Sequence, residues 1–195
     1  MSVLGVAENR ETYAALCSAY GEKHRHYHTA QHITDCLEKL DSVLHLAQGP
    51  AEIEIALWFH DAIYDPYKSG NEENSADWAC KFLTDNGADS ARVERVRAHI
   101  LATKHQVVVS DSDAQLLVDI DLSILGATET DYAVFEKNVR EEYKWVPSLV
   151  FRNKRAEILQ SFLARPQIYS FQFFRDRYER TARENLRAAI AKLSS

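Results

Sequence analysis

Apolar residues that recur at three and four positions, segment after segment, restrict this sequence more than any other feature. That spacing lines one face of an α-helix and cannot serve a strand, whose faces alternate every second residue. The 195 residues contain only six Gly and four Pro, and these fall between the periodic segments. After a Thr29 cap, His32, Ile33, Cys36, Leu40 and Val43 or Leu44 share a face, and Gly49-Pro50 closes the run, which predicts a helix over about 30–47. The next helix is expected over 51–64, with Asp65-Pro66 as its stop because the residue before proline disfavours helical geometry. Further helices are predicted over 73–86 (ended by Gly87), 90–103, 112–125 (ended by Gly126), 129–144, 148–164 and 170–193. Val107-Val108-Val109 is too brief to found a sheet. The expectation is therefore an all-α, single-domain bundle of about seven to nine helices spanning 1–195, with C-terminal helices over about 129–193 and a short tail of two or three residues.

A chain of this length can bury one substantial core. Its net charge of -6 lacks the basic field that a nucleic-acid polymer or an anionic membrane surface requires, although a metal or local Arg and Lys can reverse the sign inside a pocket. Three cysteines, Cys17, Cys36 and Cys80, without C-x-x-C spacing argue for core thiols in a reducing compartment. The opening MSVLGVAENRE has no basic segment followed by an apolar one, and no apolar run reaches bilayer length, so a cytoplasmic protein without a membrane partner is expected.

Against this background LWFHDAIYDP, residues 57–66, is anomalous: its apolar residues run round every side, which means burial, yet it carries His60-Asp61. An ionised carboxylate removed from water must be paired, hydrogen-bonded or bound to a cation. His32 and Asp121, the latter in LLVDIDLSILG, also lie where the apolar pattern points inward. Asp119 is an alternative to Asp121, and the helical face favours Asp121. Imidazole nitrogen with carboxylate oxygen suits a divalent ion among Mn, Fe, Co, Ni, Zn and Mg, between which the residues do not choose. A single His-Asp step on an apolar helix is more often a satisfied core pair; the order H…HD…D on separate helices is what singles it out.

RHYHTAQHI, WFHDAIYD, NEENSA, ATKH and DIDLSILG, with YERTARENL at 178–186, resemble the successive motifs of small metal-dependent phosphohydrolases of the HD superfamily. The resemblance implies an HD-type helical domain with its motif core at about 24–126. It also implies His32, His60, Asp61 and Asp121 as metal ligands, and hydrolysis of a small phosphate ester, with a nucleotide as one option. In that scheme Asp61 also orients the attacking water. Glu73, or its neighbour Glu72, is the expected general acid or base, although a first-turn carboxylate also suits a helix start on electrostatic grounds alone. His105 is expected to contact phosphate, act as a leaving-group acid or ligate a second metal. Arg25, His28 and Lys104 are the expected substrate contacts. Two other readings stay open: a di-iron, oxygen-activating enzyme, for which His99 or His105 completes a second site, and a non-catalytic nucleotide-binding regulator with a structural metal. A homodimer is compatible with either.

Overall fold

Every regular element of the structure, a computed structural model describing residues 9–105 and 109–194, is helical. There is no strand among the described residues; Val107 and Val108 of the valine tripeptide lie outside them. Among the described residues, nine helices result when the run from Gln172 to Ser194 is counted as one, in agreement with the all-α expectation. The chain divides into two units, Met1–Ile120 and Asp121–Ser195.

The first unit contains α1 (Arg10–Tyr20), α2 (Ala30–Ser42), α3 (Pro50–Phe59), α4 (Asn71–Asp85), α5 (Ser90–Ala102) and all but the last residue of α6 (Ser112–Asp121). The sequence reading did not place α1. It starts on Asn9, whose side chain accepts a hydrogen bond from Thr12 N (2.9 Å), and it buries only Leu16 and Tyr20. The first of the other helices is shorter than predicted, ending at Ser42 before a 3-10 turn over Leu44–Leu46. Helix α3 is apolar on all sides because it is surrounded: it packs on α2, α4 and α5, burying Ile53, Ile55, Ala56, Leu57 and Phe59. Its N-terminus is fixed by Asp113, whose carboxylate accepts from Gln48 N (2.9 Å) and Gly49 N (2.6 Å). Its acidic first turn is fixed by Glu52, which takes a two-point contact from Arg95 (2.8 and 2.7 Å) and a further bond from Arg92 (3.3 Å) on α5.

In the second unit a 3-10 turn, Leu122–Gly126, precedes α7 (Glu129–Glu142) and α8 (Ser148–Leu163). A short α9 (Gln172–Phe174) then continues through a π-helical segment, Arg175–Glu179, into α10 (Arg180–Ser194). Helix α10 packs on α8 and on the 3-10 turn, and Asn185 Nδ2 donates to Leu125 O (2.9 Å) and Ala127 O (3.0 Å). At Gly126 an added Cβ would lie 2.5 Å from Tyr178 Cβ and 2.8 Å from Tyr178 O, so the turn can approach only without a side chain. No helix among the described residues is long and apolar enough to cross a membrane.

Candidate metal centre

The predicted helix over 51–64 stops at Phe59, and His60-Asp61 stand in the turn that follows. The last helical bonds are His60 N to Ala56 O (2.8 Å) and Ala62 N to Phe59 O (2.9 Å). Beyond them, carbonyls that a helix would bond internally accept from side chains elsewhere. Arg25 takes Asp61 O (2.6 Å) and Ala62 O (3.0 Å), Ser75 Oγ takes Ile63 O (3.3 Å), His24 Nε2 takes Tyr64 O (2.8 Å) and Asn71 Nδ2 takes Asp65 O (3.1 Å). Ser75 and Asn71 also accept from the N–H groups of Ile63 (3.0 Å) and Asp65 (3.1 Å). Five consecutive peptide carbonyls are thus held by side chains, a non-helical course with those carbonyls satisfied.

That turn presents Asp61 to two imidazoles. His60 Nε2 lies 3.0 Å from Asp61 Oδ2 and 3.2 Å from His32 Nε2, and His32 Nε2 lies 3.6 Å from Asp61 Oδ2. One ligand atom from each of the three residues falls within 4.8 Å of the others. His32 and His60 are buried, whereas Asp61 keeps 18 % of its side chain exposed, so the cluster opens at the carboxylate. His60 Nδ1 lies 2.8 Å from Leu57 O, and a carbonyl can only accept. Nδ1 therefore carries the proton, and a neutral His60 turns the lone pair of Nε2 towards His32 and Asp61. Two imidazole nitrogens and a carboxylate oxygen at such separations need a cation among them, either a proton or a metal. The donor set and the carbonyl-fixed imidazole fit a divalent ion. Burial pushes the Asp61 carboxyl up, but when the imidazoles beside it take up a proton, His60 foremost with His28 and His32, their charge outweighs burial and holds the group well below the usual carboxylate range.

Around the cluster, the His28 ring stacks on Tyr64 (centroids 4.3 Å apart) and lies edge-on to His32 (6.1 Å), while Tyr27 lies 4.8 Å from the His32 ring. The Cys36 thiol, one helical turn after His32, is 3.8 Å from its Nδ1. Asp121 is the last residue of α6, and Asp119 is fully buried in the same helix.

Arg25 lies inside the fold. Expected as a phosphate contact, its side chain is 0 % exposed. Its guanidinium is engaged by Glu22 (2.9 Å) and by the carbonyls of His28 (3.2 Å), Asp61 and Ala62. Glu73 and Lys104, expected as acid-base group and phosphate contact, form an ion pair with each other. Lys104 holds the Glu73 carboxyl below its ordinary range, while Glu73 Oε2 is buried with no hydrogen-bond donor. His105 follows the end of α5 with φ 56°, a left-handed conformation uncommon outside glycine. His99 is buried, with Nε2 3.2 Å from Asp111 Oδ1 and Nδ1 without a partner.

Compared with known proteins, the chain matches no family model, no curated protein and no solved structure.

Proposed function

We propose that the protein is a metal-dependent phosphohydrolase acting on a small phosphate ester. The observation behind this reading is the convergence of His32 Nε2, His60 Nε2 and Asp61 Oδ2, with the His60 lone pair aimed into the cluster by the bond from Nδ1 to Leu57 O. His32, His60 and Asp61 would hold the ion. Such an ion supplies Lewis-acid polarisation of a phosphoryl oxygen and activates water at neutral pH.

The protein's own groups do the rest. Asp61, the most exposed of the three converging residues, orients the attacking water through its carboxylate. His28 stands beside Asp61, where a protonated ring would face a substrate phosphate. Glu73 Oε2 has no hydrogen-bond donor, so we give the carboxylate the role of taking up and returning a proton, while Lys104 keeps it ionised until it does. His105, just past the end of α5, is assigned a phosphate contact on the strength of the ATKH motif.

The test is a phosphatase screen over a panel of nucleotides, sugar phosphates and other phosphomonoesters. Protein stripped with a chelator is reloaded with each divalent metal in turn under nitrogen. Phosphate release that requires metal and disappears in His60→Ala supports the reading. Two tightly held irons with oxygen consumption would replace it with oxygen-activating chemistry. Tight nucleotide binding without turnover would replace it with a regulator.

A further inference from the structure

The structure assigns Arg25 as a positioning residue that joins the two segments carrying the candidate ligands, an inference resting on the metal reading of the site. One guanidinium bonds both segments. Nη1 donates to His28 O (3.2 Å), four residues before His32, and to Asp61 O (2.6 Å), while Nη2 donates to Ala62 O (3.0 Å). Nε closes the fork on Glu22 Oε2 (2.9 Å), and the cation lies over the rings of Tyr20 (5.2 Å) and Tyr64 (5.5 Å).

The carbonyls that Arg25 takes belong to His28, whose ring lies edge-on to that of His32 (centroids 6.1 Å apart), and to Asp61 itself. Fixing the Asp61 peptide fixes the Cα from which its carboxylate reaches His60. Ser75 and Asn71 secure the same turn only from Ile63 onward, and Ala62 N is tied back to Phe59 O, so it is the carbonyls of Asp61 and Ala62 that Arg25 holds. A buried charge is expensive to desolvate, and a fully buried arginine bonded to backbone carbonyls is retained for the geometry it imposes. Lysine cannot substitute fully, because an ammonium lacks the planar fork that meets several acceptors and two ring faces at once.

The test compares Arg25→Ala, Arg25→Lys and Leu40→Ala, the last a buried core truncation on α2 away from the ligand atoms. Cobalt(II) alone is titrated into metal-free protein and followed by its visible absorption, and backbone amide exchange is recorded without metal. A positioning role predicts a Kd for cobalt about 10- to 100-fold weaker in Arg25→Ala, the loss usual for groups that orient metal ligands. Arg25→Lys should fall between it and wild type, and Leu40→Ala should melt lower with unchanged Kd. In Arg25→Lys the amides of Ala62 and Ile63 should exchange at least tenfold faster while those in the middle of α4 keep their protection. Where Arg25→Ala does not fold, Arg25→Lys decides on both readouts. Cobalt affinity within twofold of wild type, or exchange that quickens uniformly through the chain, overturns the assignment. Should wild type bind no cobalt, the metal reading fails, and the exchange pattern alone then upholds or overturns the hold of Arg25 on the Asp61 turn.

Discussion

Replacing Glu52 by Gln tests the join between α3 and α5, and its effect can be worked out from the contacts. The Glu52 side chain is 11 % exposed and receives three bonds from Arg95 and Arg92, whose side chains are 50 % and 28 % exposed. Bonds to a charged partner contribute about 1.5–3 kcal/mol each, but open arginines reduce this, since water replaces what they lose. A Gln amide still offers one acceptor oxygen. The net loss should be about 1–2 kcal/mol, which for a chain of this size lowers Tm by about 2–8 °C. The sign with pH is definite. Arg95, foremost, holds the Glu52 carboxyl below its ordinary 4.5, so the folded state binds the proton less readily than the unfolded chain. This contribution is fully present above that ordinary value and disappears as pH falls through the lowered one. Thermal melts followed by circular dichroism should therefore show the gap between wild type and Glu52→Gln at its widest near neutrality and closing in acid. A gap of equal size at both ends of the series would refute the ionised carboxylate as its source.

Removing metal should lower stability: with divalent ion at about 100 times its Kd, the bound form gains about 2.7 kcal/mol, or about 5–11 °C in Tm. Scanning fluorimetry should show that gain vanish in His60→Ala. Gly126→Ala forces a Cβ against Tyr178 and should cost about 1–3 kcal/mol, read by denaturant unfolding. His105→Gly relieves a left-handed side-chain residue by about 1 kcal/mol and should raise Tm; turnover falling at the same time would show that the imidazole serves chemistry, whereas unchanged turnover would leave it a helix terminator. Glu73→Gln should reduce kcat by about 10² to 10⁴-fold with metal content unchanged by atomic absorption, and full activity would remove Glu73 from the mechanism.

The helices were legible because each needs only its own periodicity and a nearby stop. Helix α1 escaped notice because Leu16 and Tyr20, its only buried residues, make a stripe too thin to register, although Asn9 and Gly21 mark its ends. The local stop at Asp65-Pro66 predicts an end for α3 near Tyr64, whereas the helix breaks at His60 because Arg25, His24, Ser75 and Asn71 take the carbonyls that would continue it. No local pattern reveals acceptors claimed from other segments. The same limit explains Arg25: beside His26 and His28 it reads as part of a basic patch, and only the fold shows that it is enclosed. His32, His60 and Asp61 stood out because a ligand-type side chain on an inward face conflicts with its neighbours, and such a conflict is visible in sequence. The ion pair between Glu73 and Lys104 was not, since neither residue conflicts with its surroundings.

The side-chain-held turn also implies an order of assembly. Its bonds to Asn71 and Ser75 close over 6 and 12 residues, whereas those to His24 and Arg25 close over 36 to 40. Short loops close at lower entropic cost and earlier in folding. The half of the turn towards Asp65 should therefore form with the start of α4, while Asp61 waits for the segment at 24–25 to return. Competence to bind a cation would then be among the last properties the nascent chain acquires, and a partly folded species would keep its helices while leaving the carboxylate free to wander.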